Sequence, residues 1–430
     1  MADASLRRSL TLWQVSLSGI GVILGAGVYG LIGPAAALAG NALWLAFLLA
    51  GLTAGLTAYA YARLARLAPK NSPEFQYTAL AFGPRLGFVA GGLMLVADVL
   101  AAAAVTLAFG GYLGHLVGTP ATVNALVLVV ALGAILWTGV EQSVAVAIVL
   151  TAVEALGLAF VIVVGVPSWV GTDYLAMPQG LTGVSGAAAL IFFAYLGFDE
   201  LGNFAEEMRR PERDLPRALF VSMVATTTIY VLVALSAVAV VDGARLGASE
   251  APLALVVGRV LGERADTTLS IMALAATANT ALLLLVSAAR SIYGMAVAGV
   301  LPKRLARVGR TAVPVSSTLL VLAVLAGFVA LGTLRQVAAM TDAVVLVSFL
   351  FVNGSLPWLA ARRRTPATGG ARLAEILIPS VAFLLCTWLL LHAGATSIAA
   401  AIGLALVGLA AAASGPMLAA ARRRELGDRR

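Results

Sequence analysis

Charge is scarce in this chain of 430 residues: 11% are Asp, Glu, Lys or Arg, against 61% hydrophobic. That leaves too little polar surface to wrap a soluble core of this size, which excludes a water-soluble globular fold. Cysteine is nearly absent, and the lone Cys386 excludes an intrachain disulfide. Histidine is almost as rare. His115 and His392 sit at the ends of apolar runs and pair in sequence with no cysteine or carboxylate at metal-ligand spacing, so no metal site is expected. No Ser-His or metal motif gathers catalytic side chains, which argues against an intramembrane enzyme. The net charge of +8 is spread over short loops and forms no aromatic-interleaved stripe, so no nucleic-acid partner is expected. Nothing implies a cofactor. A cleavable signal peptide is not expected, since the first apolar stretch outruns one and lacks a small-residue cleavage pattern.

What the chain does have is a succession of apolar stretches of about 20 residues or more, each long enough as a helix to cross a bilayer core of about 30 Å. The reading is an all-α polytopic membrane protein of twelve spans: 11–38, 41–66, 85–117, 121–139, 142–165, 185–208, 216–241, 266–299, 315–332, 340–361, 373–392 and 395–420. The longest outer connection, 242–266, contains the apolar stretch Ala251 to Leu261, too short to span and expected as a helix over an extracellular vestibule. With a cytoplasmic N-terminus, inner loops collect Arg7, Arg8, Arg63, Arg66, Lys70, Arg85, Arg209, Arg210, Arg213, Arg217, Arg290, Lys303, Arg304, Arg307, Arg310, Arg362 to Arg364, Arg372 and the C-terminal arginines. Outer loops keep Arg245, Arg259, Arg264 and Arg335. By the positive-inside rule both termini are cytoplasmic, in a plasma or inner membrane.

Two spans differ from the rest. The first carries Gly19, Gly21, Gly25 and Gly27 within nine residues, and the sixth reads Phe192-Phe193-Ala194-Tyr195-Leu196-Gly197-Phe198-Asp199-Glu200, a glycine beside two carboxylates. Glycine weakens a helix interior. Close helix packing through Gly21 and Gly25 is the plain alternative. Breaks five spans apart instead point to an inverted repeat, because an odd repeat makes the second copy enter from the opposite side. The expected units are a cytoplasmic segment 1–10, repeats at 11–165 and 185–361, two further helices in 373–420, and a basic cytoplasmic tail 421–430.

At these residues the sequence resembles the amino acid, polyamine and organocation transporter superfamily, whose members share the LeuT-type fold. Gly19-Ile20-Gly21 through Gly25-Ala26-Gly27-Val28-Tyr29 is similar to its first-helix signature. Phe192 to Asp199, then Ala205-Glu206-Glu207 and Pro211 to Ala218, is similar to its sixth helix and following loop. Arg290, Tyr293, Met295, Ala296, Gly299, Leu301 and Pro302 are similar to the end of its eighth helix, although Val297 and Ala298 stand where many relatives carry Arg and Asp. The resemblance covers essentially the whole chain and implies a five-plus-five fold with helices 1 and 6 broken. It also implies that Ile23, Gly25, Ala26 and Gly27 face a substrate carboxylate while the carbonyls of Phe193, Ala194 and Leu196 face its amino group. Backbone at half-helix ends suits a zwitterion.

An ionisable group inside a membrane span is costly and functional by default. Glu154 lies near the middle of span five, where many relatives have lysine or asparagine. Three readings stand: the coupling proton site, a counter-charge for the substrate, or a hydrogen bond to a neighbouring helix. Asp98 is mid-span in helix three, and Asp199 and Glu200 follow the helix-6 break. Asp199 matches the family motif and is expected to fix the unwound backbone, whereas Asp98 and Glu200 favour a cationic substrate. Glu206 and Glu207 precede Arg209 and Arg210, as in a gate or loop ion-pair network. Tyr195 and Phe198 flank the break, either closing over a substrate or packing. The resemblance implies secondary transport of amino acids or amines by rocking of one bundle against the other, driven by protons or exchange, with sodium less favoured. A cationic amine or polyamine lacking the α-carboxylate is the alternative substrate, and a sensor or channel on the same fold the alternative function.

Overall fold

Glycine, proline and polar caps divide the apolar chain into helices, with no β-strand among the described residues. The computed structural model describes residues 11–68, 72–137, 144–206, 208–297, 301–308 and 314–413. The helices are α1 Leu12–Ile23, α2 Gly27–Ala39, α3 Leu43–Leu64, α4 Pro73–Phe82, α5 Pro84–Val117, α6 Ala121–Trp137, α7 Val144–Gly165 and α8 Gly180–Ile191. They continue with α9 Pro211–Val240, α10 Gly243–Ala248, α11 Pro252–Leu261, α12 Glu263–Val297, α13 Val315–Leu331, α14 Leu334–Ala361, α15 Gly369–His392 and α16 Ala395–Ala413. Nine helical segments among the described residues are long and apolar enough to cross a membrane. One of these, Gly27–Leu64, is interrupted at Gly40, whose φ of 61° no helix accommodates. Large apolar side chains such as Leu17, Val130, Val163, Leu181, Phe220 and Val407 stand exposed on the outside, a surface that lipid covers. The protein is a polytopic all-α membrane protein.

Within the described residues, each of the expected spans contains a helix or a broken helix. The helices at 121–139 and 315–332, α6 and α13, are only 17 residues long. Two departures matter for the site. The tenth span begins at Leu334, six residues before Met340, because Thr333 and Gln336 form a capping box that satisfies the first amides. A helix also forms where a loop is expected between spans two and three. This is α4, started by Pro73 with Glu74 in its first turn and ended at Gly83, φ 94°. Another short helix, α10, is capped by the Asp242 side chain. The Ala251 to Leu261 stretch is α11, with Leu253, Ala254, Val256 and Val257 buried. Arg7, Arg8, Lys70, Arg310, Glu207, Gly299, Ala298 and the C-terminal arginines lie outside the described residues.

Small residues let the backbones approach. Ala46, Ala50, Ala54 and Ala58 form a buried row on α3 with a spacing of four residues, and Ala101 to Ala104 are buried on α5. α5 lies at the centre, packed against α4, α6, α12, α13, α14 and α16, while α3 packs on α8, α9 and α15. Arg63 at the end of α3 is paired with Glu375 of α15, tying that late helix to the early part of the chain.

Candidate functional site

The first membrane helix stops at Ile23 and resumes at Gly27, leaving Leu24 to Ala26 outside regular helix. The restart gives α2 a helix N-terminus within the protein, where the leading amides have no intrahelical acceptor. The sixth is interrupted more fully. After Ile191 it tightens into a 3-10 turn, Phe192–Tyr195, Leu196 is extended, Gly197 has φ 106°, and a second 3-10 stretch runs Asp199–Glu206. Asp199 Oδ1 accepts a hydrogen bond from the Gly197 amide at 3.0 Å, so the carboxylate holds the unwound turn.

The two breaks lie against each other. A Cβ on Gly27 would sit 2.8 Å from Ala194 Cα, and one on Gly197 would sit 2.7 Å from Val22 Cγ1. Gly25 has more room, its nearest side-chain atom being Thr280 Oγ1 at 3.6 Å. Gly21, by contrast, faces Thr151 of α7 at 2.7 Å, a close packing contact between helices. Tyr230 of α9 joins the breaks: its hydroxyl lies 2.6 Å from the Ile23 carbonyl oxygen and 2.9 Å from that of Ala194, sharing one proton between them. The Phe193 carbonyl accepts from the Leu196 amide at 3.2 Å.

The flanking aromatics are packed. Tyr195 donates to the Phe47 carbonyl at 2.8 Å. Phe198 meets Tyr61 and Phe349 with ring centroids 5.7 and 5.4 Å apart, and Phe349 also meets Phe192. Tyr61 in turn stacks edge-on with Tyr77 of α4.

Four carboxylates come near enough for their charges to act on one another: Asp98 on α5, Asp199 and Glu200 after the break, and Glu74 on α4. Glu74 Oε1 accepts from the Tyr61 hydroxyl at 2.7 Å. Glu74 lies outside the membrane-spanning helices, and its burial pushes its pKa up to about 7; the Tyr61 hydrogen bond opposes this and the Glu200 charge adds to it. Glu154 is 2% exposed on α7, its Oε1 has no hydrogen-bond partner, and its carbonyl accepts from the Tyr29 hydroxyl at 2.6 Å. The Tyr29 carbonyl accepts from Tyr112 of α5 at 3.0 Å, so α2 is clamped between α7 and α5.

Glu207 and the side chain of Glu206 lie outside the described residues. Arg209 is exposed, and the described ion pair at this end joins Arg66 to Glu212 at 3.7 Å. His115, which has no carboxylate partner by sequence spacing, has one in space: its Nε2 lies 2.7 Å from Asp266 Oδ2, because α5 ends beside the start of α12. Among the described residues no group of three or more such side chains could hold a metal.

Tyr230, Glu74 and Asp342 have no counterpart in the sequence reading. Tyrosine in an apolar span carries no signal of its own. Glu74 looks like a loop residue unless α4 is recognised from Pro73 and Gly83. Asp342 looks interfacial when its span is begun at Met340; the Thr333–Gln336 capping box is the signal that moves it two turns into the helix.

A cavity of about 700 Å³ between α3 and α9 is lined by residues such as Leu52, Gly55, Met223 and Val231. It opens on the apolar exterior and gathers none of these carboxylates, so the breaks are the better candidate site.

The family model described as amino acid permease matches residues 10–416. The chain is 27% identical to the methylthioribose transporter of Bacillus subtilis (strain 168), over 89% of this chain and 88% of that protein. It is also 27% identical to the branched-chain amino acid permease BcaP of the same organism, over 95% and 92%. It is 28% identical to the vacuolar cationic amino acid transporter 4 of Arabidopsis thaliana, over 81% of this chain and 62% of that protein.

Proposed function

The chain belongs to the amino acid permease family, a transporter rather than an enzyme, and we propose that it moves amino acids or related amines across the membrane by alternating access around the two helix breaks. The observation that carries this reading is the contact between the breaks, with Gly27 against Ala194 and Tyr230 bridging Ile23 and Ala194. A substrate carboxylate at the α2 amides and an ammonium at the helix-6 carbonyls would bind both breaks at once. The protein then feels the ligand as a link between two elements that must move relative to one another. A carbonyl oxygen has a second lone pair, so Ala194 can accept from a ligand while Tyr230 stays bound.

The twelve spans form a five-plus-five inverted repeat, residues 11–165 and 185–361, followed by two helices, with both termini cytoplasmic. Energy comes from a proton gradient or from exchange. Glu154 is the coupling carboxylate: Oε1 lacks a partner in an apolar setting, and the same residue's backbone holds Tyr29 of α2. A change of its protonation therefore acts directly on the half-helix that faces the substrate.

Uptake of radiolabelled amino acids and amines into proteoliposomes, with and without an imposed pH gradient, tests this. Wild type is expected to be stimulated by the gradient. Glu154→Gln is expected to lose that stimulation and keep substrate exchange. If the variant still responds to the gradient, Glu154 does not couple; if it fails only on cationic substrates, it is a substrate counter-ion instead.

A further inference from the structure

Asp342 of α14 is fully buried, 0% exposed, and neither carboxylate oxygen has a hydrogen-bond partner. Its place is specific. Phe349, two turns further along the same face, packs on Phe192 and Phe198, so this face of α14 lies along the helix-6 break. The backbone amide of Phe193, in the helix-6 break, is directed at Asp342 but falls short of full hydrogen-bond geometry. α14 also packs on α2, α3, α4, α5, α8, α15 and α16. Those helices carry Glu74, Asp98, Glu375, Arg63, Arg85, Arg372, His115 and His392, and none of these acts on Asp342. Lacking a cationic partner among the described residues, an ionised Asp342 would cost several kcal/mol; an ion from outside the protein removes that cost.

We infer that Asp342 is a second ion-accepting carboxylate of the site, holding a proton when the site is empty and exchanging it for the ammonium of a cationic amino acid or amine. This rests on the transport reading above and narrows its substrate class. In the exchange the carboxylic O–H bond breaks, the proton leaves to the aqueous side then open, and the freed carboxylate accepts hydrogen bonds from the incoming ammonium. One positive charge enters and one leaves, so the buried site keeps its net charge. Glu154 leaves one oxygen without a partner and Asp342 leaves both, so Asp342 is free to take a second ammonium beyond the α-amino group that every amino acid carries.

The test uses the full-length protein in nanodiscs, with L-lysine and L-leucine as probes. Binding is measured directly, and proton release with a pH indicator in weak buffer. Wild type is expected to release about one proton for each lysine bound and none with leucine. Asp342→Asn is expected to release none and to bind lysine about tenfold more weakly or worse. If Asp342→Asn does not fold, Asp342→Glu, which keeps the carboxyl group, is expected to retain release. Lysine binding by wild type without release overturns the inference, as does undiminished release by Asp342→Asn or no release by a folded Asp342→Glu. If wild type binds no amino acid or amine at all, the transport reading itself fails, and this inference with it.

Discussion

Glu74 shows how one residue's surroundings set its response to pH. Its pKa rises from 4.5 to about 7 in the folded protein, chiefly by burial. Between those values the folded state binds more protons than the unfolded chain, so stability falls as pH rises through that window and levels off beyond it. Thermal unfolding in detergent from pH 4 to pH 8 is expected to show a falling unfolding temperature over this range, with a shallower fall in Glu74→Gln. An equally steep fall in the variant would assign the slope to other groups. The residue scale also separates what sequence can reveal. A carboxylate in mid-span, such as Glu154, announces itself by cost alone. Glu74 acquires its character only because α4 packs its Tyr77 on Tyr61, whose hydroxyl then donates to Glu74.

The elements explain why the breaks need glycine at some positions more than others. Gly27 faces backbone, Ala194 Cα at 2.8 Å, which cannot swing aside as a flexible side chain can. Gly27→Ala is therefore expected to lower stability by about 1–3 kcal/mol, the range for overpacking a filled interior. Gly25→Ala meets only ordinary contacts, at 3.5 and 3.6 Å, and is expected to fold like wild type while reducing uptake by occupying the substrate's side of the break. Thermal shift and proteoliposome uptake on the two purified variants separate these outcomes. Equal stability of both would remove the packing argument. The glycines at 19, 21, 25 and 27 were visible as a group, but only the structure tells Gly21, which packs on Thr151, from Gly25, which lines the break.

The whole molecule offers a test of orientation. With Cys386 replaced by serine, a cysteine introduced at exposed Arg335 is expected to react with a membrane-impermeant maleimide added to right-side-out vesicles. One at exposed Arg209 is expected to react only after permeabilisation. Labelling of both, or the reverse pattern, would overturn the proposed topology.

Composition and run length determined that the solvent is lipid and the fold helical: with 11% charge, the backbone must be satisfied by helices or a closed barrel, and continuous apolar runs of about 20 residues suit helices. Local sequence also located both breaks, because glycine and adjacent carboxylates weaken a helix wherever it folds. The tertiary structure alone decided which distant groups meet there. Tyr230 reaches Ile23 and Ala194, His115 reaches Asp266, and Asp342 comes to lie by Phe193. Such contacts depend on how α5, α9, α12 and α14 cross the broken helices. No local pattern of residues encodes a crossing between segments 36 to 207 positions apart.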